Sequence, residues 1–226
     1  DTLSIRYSMP QWIVDRFVSA YGEKKAEEIF KAFHSKSTIS IRTNLTRCTP
    51  DELRAMLEAE GVTVTAVDEL DYAFVISGFD YLNGLQSFRD GLFYVQDISS
   101  MLVAQTAAPK KGDYVIDVCA APGGKSTHIA ELLQGSGHVL ARDLTDNKVD
   151  MIEENIDRHG LNNMSAEVWD ATVFDADSAG KADILICDLP CSGLGVLGRK
   201  KDIRYKMTPE SVDELAALQR QILDTV

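Results

Sequence analysis

Tyr114-Val115-Ile116-Asp117-Val118 runs without a break into Cys119-Ala120-Ala121-Pro122-Gly123-Gly124-Lys125, and a helical segment then continues to Leu133. A short apolar strand, a glycine-rich turn and a helix form a unit whose repetition builds a parallel sheet. The repetition is present. Gly137–Arg142, Ser165–Trp169 and Asp183–Cys187 read as further strands, Ser99–Ala108 and Asn147–His159 as helices, and a last helix starts at Pro209 with Thr208 as its N-cap. Strands alternating with helices imply right-handed crossovers and a doubly wound sheet, whose ligands gather beyond the carboxyl ends of the strands. That rule singles out Cys119–Lys125, Asp143, Asp170 and Asp188–Gly195.

Upstream the pattern is different. Pro10–Phe33 carries apolar residues at helical spacing, interrupted near Gly22, and so predicts two short helices. Ile39–Asn44 alternates like a strand, and Thr49-Pro50-Asp51-Glu52 is a capping box opening a helix that reaches Gly61. Val62–Val67 and Ala73–Ile76 read as strands, and the turn-rich stretch Gly78–Gly91 marks a domain boundary. The expectation is a small α/β domain over 1–90, followed by a Rossmann-like domain over 91–226.

Composition narrows the function classes. The 226 residues, 45% apolar and 26% charged, have the balance of a folded protein, and no apolar run is long enough for a membrane span. Four scattered cysteines do not make a disulfide scaffold, so a reducing compartment, the cytoplasm, is expected. A net charge of −12 argues against gripping nucleic acid over the whole surface. It leaves room for a local patch, and Arg199, Lys200, Lys201, Arg204 and Lys206 supply one; a solvated charged loop is the plain alternative.

The glycine-rich turn fits neither common phosphate loop. Gly124-Lys125-Ser126 matches the end of a P-loop, but Cys119 stands where its first glycine belongs, and Gly123-Gly124 breaks the dinucleotide spacing. What remains is a turn for a small ligand that is not primarily a pyrophosphate. Asp143 ends the next strand, where a carboxylate can accept from a ribose diol; the alternative is a helix N-terminal acid. Asp170 ends the third, where an acid could accept from an adenine amino group; the alternative is a turn residue. Together these strand ends point to an adenosine-containing cofactor. Cys191, between Pro190 and Ser192 at the mouth of the cleft, is placed for covalent or acid/base chemistry. Cys187 and Cys48 read as structural, and the histidines and cysteines lack the spacing of a metal site.

Three blocks, Val95-Gln96-Asp97-Ile98-Ser99-Ser100, Asp117–Lys125 and Asp188–Gly195, resemble the Sun/Fmu family of RNA (cytosine-5) methyltransferases. Ser40-Ile41-Arg42-Thr43-Asn44 and Arg199–Tyr205 resemble it too, and together they suggest its bacterial RsmB-type members, which modify small-subunit (16S) ribosomal RNA. The resemblance implies a class I methyltransferase sheet and S-adenosylmethionine as cofactor. Its methionine part would lie at Cys119, Ala120, Ala121, Pro122, Gly123, Gly124 and Lys125, its ribose at Asp143 and its adenine at Asp170, with Asp188 between cofactor and target base. Arg199, Lys200, Lys201 and Arg204 would meet the RNA.

In that family one cysteine adds to cytosine carbon 6, activating carbon 5, and the Pro-Cys cysteine, matching Cys191, assists release. The first cysteine lies in a Thr-Cys block that is not found up to Val226. The sequence is therefore expected to be part of a longer protein, with an incomplete sheet and no catalysis of its own. Its substrate is expected to be a single-stranded or loop region, since the cytosine must leave its stack. No membrane partner and no oligomer are expected. The alternatives are a noncatalytic cofactor- or RNA-binding module, a degenerate P-loop hydrolase, and DNA as substrate.

Overall fold

The computed structural model describes residues 2–35 and 38–226. In chain order the elements are α1 (Leu3–Arg6), α2 (Gln11–Tyr21), α3 (Glu23–Ala32), β1 (Ile39–Thr43), α4 (Pro50–Ala59), β2 (Thr63–Val67), β3 (Leu70–Ser77), α5 (Gln86–Arg89) and β4 (Phe93–Val95). They continue as α6 (Ile98–Ala107), β5 (Tyr114–Asp117), α7 (Gly124–Leu132), β6 (His138–Asp143), α8 (Asp146–His159), β7 (Met164–Val168), β8 (Ile184–Ile186), α9 (Ile203–Lys206) and α10 (Pro209–Thr225). The chain forms two contact units, residues 1–37 with 190–221 and residues 38–189 with 222–226.

The first unit is helical. Ile13 of α2 and Phe30 of α3 are fully buried in a core that also takes Leu197, from the segment after Cys191, with Ile203 of α9 packed against it. Thr208 caps α10 as the sequence indicates, its Oγ1 accepting from Ser211 N at 3.2 Å.

The second unit holds two sheets. The antiparallel one has the order β2-β3-β1-β4 and packs Leu53 and Leu57 of α4 against Ile41, Phe74 and Ile76. Thr49 makes the expected capping box with Glu52. The parallel sheet has the order β7-β6-β5-β8, with Tyr114 in register with His138 and Val115 with Ile184. Val115, Val139 and Ala141 are buried with Ala104 of α6, Ile129 of α7 and Ile152 of α8. This is the α/β, Rossmann-like arrangement expected from the sequence.

Two features go beyond the sequence reading. β4 pairs with β1 (Ile41 with Val95, Thr43 with Phe93), so the antiparallel sheet takes its last strand from beyond the turn-rich stretch. β1 is also covered on both faces: its polar alternates Ser40 and Arg42 are as inaccessible as Ile41. Arg42, 1% exposed, donates from Nη2 to Glu131 Oε1 at 2.8 Å and Thr127 Oγ1 at 3.2 Å, both on α7. Just beyond β1, Asn44 Nδ2 donates to the carbonyls of Gly91 (2.9 Å) and His159 (3.2 Å), so the same run caps the end of α8.

Gly91 sits in this junction with φ +66°, and a Cβ there would fall 1.9 Å from the Arg158 carbonyl oxygen. Gly61, after α4, has a similar φ of +82° but open space around it. Both alanine variants carry the left-handed strain, and only one carries the collision. Gly91→Ala is therefore expected to lower stability by about 2 kcal/mol more than Gly61→Ala in urea titrations followed by circular dichroism.

Candidate functional site

β5 delivers the site because its last residues are apolar and buried while the next are small. Val118 N donates to Ile186 O at 3.1 Å and Ala120 N to Arg142 O at 2.8 Å, so the turn leaves the sheet held from both neighbouring strands. Gly123 N then donates to Ala120 O at 2.6 Å, and Gly123 takes a φ of +98° to start α7. The Ala121–Pro122 peptide is cis. Gly124 is favoured for a different reason: a Cβ would sit 3.0 Å from the Tyr94 ring and press on it. The Tyr94 hydroxyl donates to Pro122 O at 3.1 Å, so β4 braces the turn from the side.

A cleft of about 170 Å³ opens here, lined by Cys119–Pro122, Gly124 and Lys125 of the turn, by Tyr94, Gln96, Asp97 and Ser100, and by Asp117 and Asp188. Through Lys125 and Asp188 it adjoins a groove of about 510 Å³ along α6 and β8. Lys125 Nζ and Asp188 Oδ2 form an ion pair at 2.5 Å across the mouth. The structure thus brings the glycine-rich turn and the segment after β8 to one place.

The other expected residues stand as follows. Asp143 is buried; its Oδ2 accepts from Ala121 N at 2.9 Å and its Oδ1 from Leu144 N and Lys148 Nζ, both at 2.8 Å. It is tied directly to the turn. Asp170 is exposed and its Oδ1 accepts from Thr172 N and Oγ1, contacts that hold its carboxyl below the usual range; it does not line the cleft. Cys187 lies past the end of β8, half-buried and lining the groove, rather than inside the strand as the sequence suggested. Cys191 is exposed.

Of the basic run, Arg199, Lys200 and Lys201 are exposed. Arg204 is not a surface cation: it is 4% exposed and donates to the carbonyls of Lys201, Tyr7 and Ser8 within the helical unit. Charge in the sequence had placed it with the others; its four-residue helix turns it inward.

Asp117 and Gln96 were not assigned a role from the sequence. Asp117 ends β5, nearly inaccessible, and accepts from Ser126 Oγ at 2.6 Å. Burial pushes its carboxyl up to about 6, against the pull of Ser126 and Cys119. Gln96 follows β4, 6% exposed; its Oε1 accepts from Arg42 Nη1 at 2.5 Å while its Nε2, on a residue lining the cleft, has no partner. The polar end of an apolar strand was the available signal for Asp117. Cys119 is a poor thiolate, pushed up to about 11 by burial and by Asp143 and Asp117. Among the described residues no group of three metal-ligating side chains converges, and no helix is long and apolar enough to cross a membrane.

A parallel sheet in the order β7-β6-β5-β8, with a small-residue turn at the end of β5 and acids at the ends of its neighbours, defines a Rossmann-like cofactor-binding protein. Residues 104–226 match the family model for 16S rRNA methyltransferase RsmB/F, and residues 9–79 match that for the ferredoxin-like domain of RsmF/B-like methyltransferases. The chain belongs to the 16S rRNA methyltransferase RsmB/F family. It is 38% identical to the probable ribosomal RNA small subunit methyltransferase B of Bacillus subtilis, over 98% of this chain and 49% of that protein. Against the ribosomal RNA small subunit methyltransferase B of Proteus mirabilis the identity is 31%, over 98% and 52%. The chain spans about half the length of the curated relatives it matches. Among solved structures it resembles that of PH0851 (TM-score 0.93, 28% identity, 99% of this chain and 51% of that one). NSun6 from Pyrococcus horikoshii, determined with SFG, shares the fold (TM-score 0.82, 20% identity, 96% and 79%).

Because Asp117 titrates higher when folded than its ordinary value of 3.8, its stabilising contribution is present below about pH 4 and is lost as pH rises through about 6. Relative to Asp117→Asn, the wild-type chain is expected to lose up to about 3 kcal/mol of stability between pH 4 and 7, and little beyond, in denaturant titrations at each pH.

Proposed function

We propose that the protein transfers a methyl group from S-adenosylmethionine to carbon 5 of a cytosine in small-subunit ribosomal RNA. The observation that carries this reading is the Lys125–Asp188 ion pair, which joins the cofactor-type turn to the segment that reaches Cys191 three residues later. The residues fit such a cofactor: Gly124 leaves a cradle against Tyr94 that any Cβ would fill, and a buried carboxamide nitrogen at the cleft awaits an acceptor.

The cofactor supplies an electrophilic methyl group on a sulfonium. Cys119–Lys125 hold its amino-acid end. Asp143 holds the ribose; its Oδ2 keeps a lone pair free, and the half-exposed Lys148 can yield its place on Oδ1. Asp170 meets the adenine end. Asp188, with Lys125, stands between cofactor and base.

A cysteine thiolate, which the resemblance puts in a Thr-Cys block, would add to carbon 6 of the cytosine, and the electron pair would reach carbon 5, which would take the methyl group as its bond to the sulfonium sulfur breaks and a neutral thioether leaves. Cys191 assists the last step by taking the proton that leaves carbon 5, as the double bond re-forms and the thiolate is expelled. Arg199, Lys200 and Lys201 meet phosphates, while Arg204 holds the turn that presents them. A loop or single strand is the preferred substrate, because its cytosine unstacks at small cost. The protein acts in the cytoplasm, as a monomer, on RNA. The division of labour is a small N-terminal domain over 1–90, whose sheet borrows β4 as its last strand, and a methyltransferase domain over 91–226.

The test uses unmodified small-subunit ribosomal RNA tritiated at cytosine carbon 5, S-adenosylmethionine, the whole protein and its Cys191→Ala variant. The variant is expected to turn over at least ~100-fold more slowly and to accumulate a covalent protein–RNA complex on denaturing gels. Unimpaired turnover by Cys191→Ala would remove that cysteine from the mechanism, and tritium retained in RNA methylated by the wild type would exclude carbon 5.

A further inference from the structure

Among the described residues that line the cleft, Gln96 has a side chain that is buried, polar and half used. Its Oε1 is taken by Arg42 Nη1 at 2.5 Å, and the same Nη1 donates to Gly124 O at 2.9 Å. A guanidinium has only donors, so it donates to the oxygen end of a carboxamide and rejects the nitrogen end. The orientation of Gln96 is therefore fixed: Nε2 is the end left over, buried and without an acceptor. Leaving a buried donor unpaired is costly, and such groups persist where a ligand completes them.

The shared Nη1 also places the carboxamide beside the first turn of α7. The amides of Gly124, Lys125 and Ser126 have no intrahelical acceptor there, and no side-chain cap serves them. Gln96 and the start of α7, at Gly124 and Lys125, thus border the same cleft. The complementary group offers only acceptors and carries negative charge, which describes a carboxylate.

We propose that Gln96, which lines the cleft, binds the amino-acid end of the cofactor, its Nε2 donating to the α-carboxylate, and that Arg42 is the positioning residue that holds the oxygen end and leaves the nitrogen as the free one. The assignment rests on S-adenosylmethionine being the cofactor. It connects the antiparallel sheet to cofactor recognition through two residues, Arg42 on β1 and Gln96 after β4.

Calorimetric titration of the 226-residue chain with S-adenosylhomocysteine and with 5′-methylthioadenosine, which lacks the amino-acid part, tests both halves. Gln96→Leu is expected to weaken S-adenosylhomocysteine roughly tenfold or more while leaving 5′-methylthioadenosine within about twofold. Gln96→Glu, which keeps a partner for Arg42 and folds without a gap, should weaken S-adenosylhomocysteine further by setting a carboxylate against a carboxylate. Arg42→Met combined with Glu131→Gln, which leaves no buried charge unpaired, should lower the ratio of the two affinities as Gln96→Leu does. Unchanged S-adenosylhomocysteine binding in both Gln96 variants, or equal loss of both ligands, would overturn the proposal. A wild-type chain that binds neither ligand would overturn the cofactor assignment itself.

Discussion

The ion pair between Arg42 and Glu131 is the contact on which the larger unit depends. Both side chains are almost wholly inaccessible, so each charge is tolerable only because the other is there and because Gln96, Gly124 and Thr127 take up further guanidinium protons. A buried pair of this kind adds little net stability over a well-packed apolar substitute, yet removing one member leaves the other stranded. Its value is in register. It fixes β1 against α7, and α7 begins at the turn that shapes the cleft. His159, buried neutral with its Nδ1 3.3 Å from Glu131, and Asn44 extend the same arrangement to the end of α8.

The parallel sheet could be read from the chain because its strands are short apolar runs between helices with clear stop signals, and its ends came out within a residue or two. The glycine-rich turn was equally legible, since small residues between a buried strand and a helix leave few other conformations. What escaped were features defined by distant partners. β4 has three residues and no pattern of its own; it is a strand because β1 lies beside it. Alternation in β1 marked a strand but did not announce that Arg42, on its polar side, is covered by α7.

Site residues divided along the same line. Residues fixed by the local chain, from Cys119 to Lys125 and at Asp188, stand together at the cleft, and Asp143 reaches the turn through one amide. Asp117 and Gln96 took their character from burial, which single residues do not announce. Arg204 shows the converse, a charge that sequence assigns to water and the fold turns inward toward three carbonyls.

Tyr94 and Gly124 act as a pair. The ring that a Cβ at 124 would press on also holds the Pro122 carbonyl through its hydroxyl and lies within 5.4 Å of the Arg42 guanidinium. The two positions are coupled. A side chain at 124 pushes the ring at 94 aside by a few tenths of an ångström, and a smaller residue at 94 releases the turn and uncovers a buried cation. A change at either place is therefore felt at the other, and through the Pro122 carbonyl it is felt by the whole braced turn.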